Sequence, residues 1–560
     1  MIKSHWRVLP RVPADILATD DIQPLIRQLL YNRGISTLEE ARVFLSSDKN
    51  LDGDPFALPD MNAAVSRIYR ALLSSEQIAV YGDFDADGIT ATALLVEGLT
   101  ALGGSVVPYI PHRINEGYGL RNGGLDKLHQ LGVSLVITCD SGITAVNEVK
   151  YAQRLGIDVI VTDHHLPLTV LPRACAVINP KRRDSIYRFP DLAGVGVAYK
   201  LLQALMWGTR KQDWVNGMLD LVALGTVADM SPLLGENRYL VKCGLGVLRT
   251  SQRPGISELV RQAGLEPSVI TAETISWILG PRLNSAGRMD EAIPSYDLLM
   301  TRDHGKARTL AGELERLNAD RQQVTRTVFA SVREQITETG SEFPVLFCGS
   351  EEYPPGVVGL VAGRLAEEFY RPVCIIKKGE DVCRGSARSI PELNLMGALE
   401  KCHDLLTEFG GHSQAAGFTV PTCNLAAFEE RFRQVAFKQL SGMDLRPHVD
   451  IDAEIPLASL NWGVYNTLQL MAPFGSGNPV PVFLSRRVKL LESRRMGSGQ
   501  EHLRLNLRDK SATWQAVGFG LGEIEKELTP YVDIVYNLEV DRWRGEDSLR
   551  LNLIGVVPSQ

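Results

Sequence analysis

The stretch that decides the fold is Ile78-Ala79-Val80-Tyr81-Gly82-Asp83-Phe84-Asp85-Ala86-Asp87-Gly88-Ile89-Thr90. Apolar residues lead into three acids at alternating positions, and a helical pattern follows, which predicts a strand, a tight loop and a helix. Because residues two apart on an extended chain point the same way, Asp83, Asp85 and Asp87 crowd like charges at the end of the strand. Such hard oxygen ligands suit Mg²⁺ or Mn²⁺. The pattern therefore favours a metal site over a solvated acidic turn.

The sequence around this stretch alternates strands and helices from about residue 60 to residue 235. Strands separated by helices of about 10–15 residues indicate a parallel sheet with right-handed crossovers. The predicted strands are 78–81, 106–110, 135–139 and 158–162, and the predicted helices are 63–73, 89–102, 122–131 and 143–155. Because ligands of such sheets bind beyond the carboxyl ends of the strands, further site residues are expected there.

Two of these strands end in polar loops, and a later apolar segment ends in an acid. The third predicted strand runs into Asp140 and the fourth into Asp163-His164-His165. Adjacent residues of a loop point apart, so one histidine is expected to bind the metal while the other faces the substrate. The apolar segment from residue 221 to residue 228 reaches Asp229, which the pattern alone leaves as either a turn residue or a ligand.

The composition is that of a globular protein with several domains: 560 residues, of which 44% are hydrophobic and 22% charged. No run of about 18 apolar residues occurs, which predicts no membrane span, and the first residues lack the apolar core of a signal peptide. The eight cysteines are scattered without a CxxC pair, which argues against a zinc knuckle or a disulfide framework and favours the cytoplasm. With a net charge of −7, a polyanionic partner must be held by local basic patches and bound metal.

The second half of the chain predicts a long helix, a second α/β lobe and a small barrel. The apolar positions between 303 and 338 form one stripe, which favours a rigid strut within a monomer over a coiled-coil dimer. The segment 280–288 places two arginines among small residues, which suits phosphate contact, with a Gly-rich connector as the alternative. Short strands after residue 447 carry arginines interleaved with Trp514 and Phe519, as in an OB-fold, with an unrelated β-barrel adaptor as the alternative.

Several short motifs resemble those of a known family. Asp85-Ala86-Asp87-Gly88, Asp140-Ser141-Gly142, Asp163-His164-His165 and Ala228-Asp229 resemble, in order, the four motifs of the DHH phosphoesterase superfamily. The runs from Tyr81 to Gly88, Gly117 to Leu120, Gly280 to Arg288 and Gly410 to His412 together resemble the RecJ family of single-strand-specific exonucleases. The resemblance extends from about residue 50 to the end of the sequence, and the ordered set is specific although each motif alone is weak.

The resemblance implies an α/β fold with a parallel-sheet DHH metal lobe, a long connecting helix, a second α/β lobe called DHHA1 and a C-terminal β-barrel of the OB-fold type. The short helical patterns of residues 1–50 predict an N-terminal helical segment. For the rest, the implied division is 51–235 for the DHH domain, 236–340 for a helical region with the long helix, 341–445 for DHHA1 and 446–560 for the OB-fold.

The resemblance also implies two divalent cations, Mn²⁺ or Mg²⁺, and a set of site residues. The expected ligands are Asp83, Asp85 and a bridging Asp140 for one ion, and Asp87, Asp140, His164 and Asp229 for the other. The expected catalytic residues are Asp140, His164, His165, Arg282 and His412, of which His165 faces the scissile phosphate. The expected substrate-binding residues are Arg113, Tyr118, Arg282, Arg288, Ser386, Arg388 and His412. Among these, two guanidinium groups and the Ser386 hydroxyl suit a terminal phosphate dianion.

The function that the resemblance implies is 5′→3′ hydrolysis of single-stranded DNA to mononucleotides in recombination and repair. The implied partners are single-stranded DNA, a single-strand-binding protein and a RecQ-type helicase. Two other classes compete: a DHH enzyme acting on pyrophosphate, oligoribonucleotides or cyclic dinucleotides, and a non-catalytic module like the inactive relatives of replication helicases. The first class has no need of a C-terminal barrel, and the second can lose metal ligands freely, whereas every motif acid is present here.

Overall fold

The computed structural model describes residues 5–46, 49–113, 115–340, 343–541 and 547–559. Contacts between residues divide the chain into two compact units. The first comprises Gly53–Ser231 and Gly244–Pro447, and the second comprises His5–Asp52, Pro232–Cys243 and His448–Gln560. No helix of the described ranges has the length and apolar character that crossing a bilayer requires.

The helices and strands are numbered in chain order. The helices are α1 (Pro24–Asn32), α2 (Leu38–Leu45), α3 (Met61–Leu73), α4 (Ala86–Ala101), α5 (Asn122–Gln130), α6 (Val146–Arg154), α7 (Gly194–Met206), α8 (Leu219–Ala228), α9 (Gly235–Arg249), α10 (Pro254–Gln262), α11 (Ala272–Thr274), α12 (Gly280–Met289), α13 (Ile293–Met300), α14 (His304–Thr339), α15 (Pro355–Phe369), α16 (Leu395–Glu400), α17 (Leu425–Leu440) and α18 (Trp462–Leu468). The strands are β1 (His5–Val8), β2 (Gln77–Tyr81), β3 (Ser105–Tyr109), β4 (Val133–Cys139), β5 (Asp158–Thr162), β6 (Ala176–Ile178), β7 (Leu346–Ser350), β8 (Val373–Lys377), β9 (Val382–Arg388), β10 (Glu408–Gly411), β11 (Ala415–Pro421), β12 (His448–Ile451), β13 (Ala453–Glu454), β14 (Phe483–Met496), β15 (His502–Asp509), β16 (Ala512–Gly518), β17 (Tyr531–Asp541) and β18 (Ser548–Pro558).

The first unit is built on a five-stranded parallel sheet in the order β3-β2-β4-β5-β6. The central strands are buried and apolar because helices cover the sheet, and α4 is buried around its whole circumference. From β2 the chain passes to β3, which is the neighbour of β2 toward one edge of the sheet. It then passes to β4, the neighbour of β2 toward the other edge, so the winding reverses between β2 and β4. Ligands of open α/β sheets bind beyond the strand ends at this reversal. The predicted parallel α/β sheet is confirmed, with β6 as an additional strand.

The second lobe of this unit has a mixed sheet in the order β10-β11-β9-β8-β7, with α15 packed against β8 and β9. The long helix α14 contacts both lobes: it packs on α10, α12 and α13, and also on α15. Val328, Val332 and Ile336 of α14 share an apolar core with residues of α15. The C-terminal part of the predicted stripe is therefore buried against α15 of the same chain, and the predicted long connecting helix is confirmed.

The segment 280–288 forms most of α12, preceded by a π-helical turn at Ile275–Leu279. The Gly-rich connector considered from the sequence is therefore wrong. The glycines of this segment serve close packing: a Cβ at Gly287 would lie 2.5 Å from the backbone oxygen of Phe84. Asn284 of the same helix accepts a hydrogen bond from the backbone N–H of Ala86 at 2.8 Å. α12 thus packs directly on the acidic loop that follows β2.

The second unit contains a closed barrel, in which β14, β15, β16, β18 and β17 pair in turn and β17 pairs again with β14. Leu503, Leu505 and Leu507 alternate inward along β15 and are fully buried. The predicted barrel is confirmed. The sequence pattern missed β18 and shortened β14, because bulges between Ser485 and Val488 and between Leu490 and Glu492 interrupt the alternation of β14.

The N-terminal segment belongs to the same unit as the barrel. β1 pairs in parallel with β12, and Arg7 forms two hydrogen bonds of 2.6 and 2.7 Å with Asp450. Leu29 and Leu30 of α1 are fully buried in the apolar core that also contains the barrel leucines. Because these residues share one core, the stability of the barrel depends on the N-terminal segment. The two are far apart in the sequence, since 443 residues separate Arg7 from Asp450.

Replacing Leu29 with alanine is expected to destabilise the barrel by about 2–5 kcal/mol, because the change leaves a cavity in the shared core. The control is Leu38→Ala on α2, where the side chain is 37% exposed. Urea unfolding combined with hydrogen exchange of the barrel amides measures the effect. Equal changes for the two variants would show that the N-terminal segment does not stabilise the barrel.

Candidate metal centre and phosphate site

Five acids gather beyond the carboxyl ends of β2 and β4. Asp83, Asp85 and Asp87 follow β2, Asp140 follows β4 and Asp229 follows α8. Asp83, Asp87 and Asp140 are at most 2% exposed. Three groups of ligand atoms each lie within 4.8 Å of one another: Asp83, Asp85 and Asp140; Asp87, His164 and Asp229; and Asp140, His164 and His165.

Asp87 is held by the first turn of α7. Its carboxylate accepts hydrogen bonds from the backbone N–H groups of Gly194 at 2.7 Å and Val195 at 2.8 Å. These donors are amides that a helix leaves unpaired at its N-terminus, where the helix dipole favours negative charge. A Cβ at Gly194 would lie 2.6 Å from the Cβ of Asp140, so the absence of a side chain there lets α7 approach both acids.

Backbone geometry directs two more of the acids. Asp85 caps α4 by accepting hydrogen bonds from the N–H groups of Asp87 at 3.0 Å and Gly88 at 3.1 Å. Asp140 has a φ of 56°, a left-handed conformation that is costly for a residue other than glycine and is frequent at functional sites. In this conformation its Oδ1 lies 3.1 Å from His164 Nε2.

Asp163 orients the histidines that follow it. Its carboxylate accepts hydrogen bonds from the N–H groups of Ile143, His164 and His165 at 2.7–3.0 Å, and its Oδ1 lies 2.8 Å from His165 Nδ1. Burial opposes the charged form, but the hydrogen bond from His165 and the nearby imidazoles outweigh burial and lower the pKa of Asp163 to about 2. Asp163 was not among the site residues expected from the sequence, although its place at a strand end before two histidines was the available signal.

The remaining acids carry charge that the protein does not neutralise. Burial, together with repulsion among the carboxylates, raises the pKa of Asp83, Asp87 and Asp140 well above the usual value. Burial also lowers the pKa of His164 to about 4. For His165, burial is outweighed by the hydrogen bond and charge of Asp163, which raise its pKa to about 9.

Unsatisfied atoms show that the residues fit divalent cations. Asp83 Oδ1, Asp140 Oδ1 and His164 Nε2 are buried and have no hydrogen-bond partner among the described residues. Such atoms are rare in folded proteins, and crowded carboxylates become stable when a cation lies between them. Carboxylate oxygens with an imidazole nitrogen suit Mn²⁺, and carboxylates suit Mg²⁺. The groupings follow the ligand split expected from the sequence, which stays a prediction.

The second lobe brings another histidine to this centre. His412 follows β10, and its ring stacks on the ring of His165 with 5.9 Å between centroids and 13° between planes. An ion pair of 3.7 Å joins Glu408 of β10 to Arg121 of the first lobe. The loop at residue 412 therefore covers one face of His165.

Three guanidinium groups lie near the acids without a carboxylate partner in the part of the chain that the structure describes. Arg113 lies 4.9 Å from the centre of the Phe84 ring, and Arg388 donates to Ser386 Oγ at 3.2 Å. Burial, with repulsion from Arg113, lowers the pKa of Arg288 to about 9 and also lowers the pKa of Arg388. Buried cations that repel one another form an anion site, because a phosphate supplies the missing countercharge.

Comparison with known proteins identifies the family. Family models match 77–226 (DHH family, N-terminal domain), 342–438 (DHHA1 domain) and 451–555 (RecJ OB domain). The single-stranded-DNA-specific exonuclease RecJ of Bacillus subtilis is 36% identical over 95% of this chain and 67% of its own length, and that of Salmonella typhimurium is 35% identical over 96% of both. The structure of Thermus thermophilus RecJ in complex with Mn²⁺ covers 99% of this chain and 80% of its own, with 31% identity and a TM-score of 0.84. This chain belongs to the RecJ family.

In this RecJ-family chain the structure places two arginines that were both expected to bind substrate, Arg282 and Arg288, in different surroundings. Arg282 Nε lies 2.6 Å from Glu315 Oε2 of α14, and its Nη1 donates to the backbone oxygen of Ile278, so its charge is already paired. Arg288, on the same helix, is the one that lies near Arg113 and Arg388. The catalytic role of Arg282 stays a prediction, and the geometry supports Arg288 more strongly as a phosphate contact.

Tyr118, which the resemblance gave as a substrate-binding residue, lies beside Asp140 and His165, and its contact with substrate stays a prediction. Its hydroxyl donates to the backbone oxygen of Asp140 at 3.2 Å and lies 3.3 Å from His165 Nδ1, while the side chain is 43% exposed. Phe84, which the sequence analysis did not single out, contacts both Tyr118 and Arg113 through its ring. The aromatic pair therefore links the metal loop to the arginine group.

Asp140→Asn is expected to weaken Mn²⁺ binding by more than about a hundredfold, since even outer-shell changes cost about 10–100-fold in metal affinity. Without metal, the same variant is expected to melt at a higher temperature near neutral pH, because one of the repelling buried charges is gone. Calorimetric titration with Mn²⁺ and thermal melting in a chelator measure the two effects. Asp320→Asn, an exposed acid on α14, is the control. Mn²⁺ affinity equal to that of the unaltered protein would contradict the placement of Asp140 at the centre of the site.

Proposed function

We propose that this chain is a metal-dependent exonuclease that hydrolyses single-stranded DNA from the 5′ end and releases mononucleotides. The observation that carries the proposal is the group of buried acids around Asp140, which adjoins a group of arginines that have no carboxylate partner among the described residues. Curated relatives that match nearly the whole of this chain are named single-stranded-DNA-specific exonucleases, and a solved relative is in complex with Mn²⁺. Together they support hydrolysis of a phosphodiester at a site that also recognises a second phosphate.

The residues that would hold the cations are those of the three ligand groups. Asp83, Asp85 and Asp140 would bind one ion, and Asp87, Asp140, His164 and Asp229 would bind the other. When bound, divalent cations would lower the pKa of a coordinated water so that hydroxide forms near neutral pH, and would neutralise charge on the attacking and leaving oxygens.

The protein residues around this centre position the substrate. Asp163 fixes the ring of His165 through Nδ1, which leaves the other ring nitrogen to contact a phosphate oxygen or the leaving group. The ring of His412 packs parallel to that of His165 and limits its rotation. Because Asp83, Asp87 and Asp140 are almost fully buried, bulk water is excluded around them and electrostatic interactions there are strong.

The direction of digestion follows from the arginine group. A terminal phosphate is a dianion, and Arg113, Arg388 and the Ser386 hydroxyl provide two guanidinium groups and a hydroxyl for it. Arg388 already donates to Ser386 at 3.2 Å, so the two side chains lie on one side of the same strand. A strand held by its 5′-phosphate at this point would present the next phosphodiester to the acids.

The barrel supports a polymeric substrate over the smaller substrates of other DHH enzymes. Its basic strands lie next to Phe519, which is 58% exposed and packs edge-on to His502. Exposed aromatic rings among arginines are typical of proteins on which bases of a single strand stack. A pyrophosphatase or a cyclic-dinucleotide phosphodiesterase would not need this surface.

The cellular setting is also proposed. A chain of this family would act in the cytoplasm, as a monomer, on strands exposed in DNA recombination and repair. A single-strand-binding protein and a RecQ-type helicase are the proposed partners, because one coats and the other produces the single strand on which the enzyme acts.

The test of the function is timed digestion of single-stranded DNA that carries a label at either end, with Mn²⁺ or Mg²⁺. The expected result is immediate release of a labelled mononucleotide from the 5′ end and late release from the 3′ end. Double-stranded DNA of the same sequence is expected to resist. Early release from the 3′ end would overturn the proposed polarity, and no hydrolysis with either ion would overturn the function.

Arg388→Ala is expected to reduce the preference for 5′-phosphorylated over 5′-hydroxyl strands by about tenfold or more, since a hydrogen bond to a charged group contributes about 1.5–3 kcal/mol. The matched control is Arg384→Ala on the same strand, where the side chain is exposed. The ratio of initial rates on the two strands is measured for each variant. An unchanged ratio in Arg388→Ala would place the terminal phosphate elsewhere.

A further inference from the structure

A small cavity lies beside α12, next to the metal centre. Its volume is about 100 Å³. It is lined by Ala228, Ser276, Gly280, Pro281, Asn284, Arg288, Arg321 and Leu360. Ala228 directly precedes the candidate ligand Asp229. At roughly 30 Å³ for each water molecule, the cavity has room for about three waters or for one phosphate group.

Two guanidinium groups line this cavity, and neither forms an ion pair in the described part of the chain. Among the described residues, Arg321 Nε is buried without a hydrogen-bond partner, and Arg321 Nη2 donates to Asn318 Oδ1 at 2.8 Å. Arg288 Nη1 donates to the backbone oxygen of Gly356 at a long 3.3 Å. A buried guanidinium nitrogen without an acceptor costs free energy that an anion in the cavity would recover.

The surroundings of Arg321 add to this cost. Burial, reinforced by repulsion from Arg364 and Arg282, lowers the pKa of Arg321. Helices α12 and α14 can place a carboxylate beside an arginine, since Glu315 Oε2 of α14 lies 2.6 Å from Arg282 Nε of α12. Arg321, six residues further along α14 than Glu315, has no carboxylate partner among the residues that the structure describes. The cavity therefore combines unbalanced positive charge with free space.

We propose that this cavity binds an internal phosphate group of the single strand, and that Arg321 is the residue that contacts it. The inference rests on the proposed function. The terminal phosphate has its own candidates in Arg113, Ser386 and Arg388, whereas Arg288 adjoins that group and also lines the cavity. A strand held at its 5′ end and cut at the acids would thus place a later phosphate beside Ala228 and Arg321. A phosphodiester carries one negative charge, which one guanidinium fork matches.

The first test measures binding in a chelator, where the strand stays intact. The probe is a 5′-phosphorylated oligodeoxythymidylate of about ten nucleotides, and its dissociation constant is followed over a range of salt concentration. A single-strand phosphate contact contributes about 0.7 to the slope of log K against log salt. Arg321→Gln is expected to reduce the slope by about that amount, and Arg321→Lys is expected to retain it.

The matched control is Arg326→Gln, which removes the same charge from an exposed position of the same helix. It is expected to keep the slope of the unaltered protein. An equal decrease in Arg326→Gln and Arg321→Gln would overturn the proposal, since the effect would then come from net charge. Thermal melting shows that the variants are folded.

The second test locates the phosphate and does not depend on a stable variant. Neutral methylphosphonate linkages replace the phosphates of the probe one at a time. The unaltered protein is expected to lose affinity at one internal position, and Arg321→Gln is expected to show no further loss there. Uniform loss at every position in the unaltered protein would overturn the proposal.

A third arm separates the strand from a free anion. Inorganic phosphate that stabilises the unaltered protein but not Arg321→Gln, with no position-specific methylphosphonate effect, would assign the cavity to free phosphate and overturn the strand contact. Failure of the whole function is a different result, because the unaltered protein would then not hydrolyse single-stranded DNA. Normal hydrolysis with no position-specific effect would reject this inference alone.

Discussion

The main constraint on the first unit is the repulsion among buried carboxylates at the point where the winding of the parallel sheet reverses. The rest of this unit must hold these carboxylates together against that repulsion. Burial, together with repulsion from neighbouring carboxylates, raises the pKa of Asp83, Asp87 and Asp140. A folded chain tolerates this arrangement only where rigid neighbours impose it. The sheet, the buried helix α4 and the first turn of α7 do so here, and the amides of Gly194 and Val195 offset part of the charge on Asp87.

Asp163 shows by contrast what a satisfied acid looks like in the same place. It is as buried as its neighbours, but three backbone donors and the ring of His165 bond to it, and its pKa falls instead of rising. The difference between Asp163 and Asp140 is therefore one of partners and not of burial. Acids with partners build the scaffold of this site, and acids without partners are the ones that await a cation.

The arginines near the site divide in the same way, into those with a partner of opposite charge and those without one. Arg282 has Glu315 and is structural in its contacts, whereas Arg113, Arg288, Arg321 and Arg388 have no carboxylate among the described residues. The acids and these arginines lie close enough to influence one another, since Asp83 and Asp85 both favour the charged form of Arg113. Neither set neutralises the other fully. A phosphodiester with bound cations supplies both missing charges at once, which gives a physical reason for substrate and metal to bind together.

The sequence by itself determined the parallel sheet, the long helix, the barrel and the meeting of the acids near Asp140. These features follow from local periodicity and from the rule that parallel strands end at one edge, both of which are properties of short stretches. It did not determine which arginine of α12 lies near the phosphate site. Arg282 and Arg288 are six residues apart, and at about 100° per residue they leave the helix in different directions. Only the packing of α14 decided that Arg282 lies beside Glu315 and that Arg288 lines the cavity. The N-terminal segment is a further case, because its amphipathic helices could cover any apolar surface, and only the tertiary structure decided that they cover the barrel.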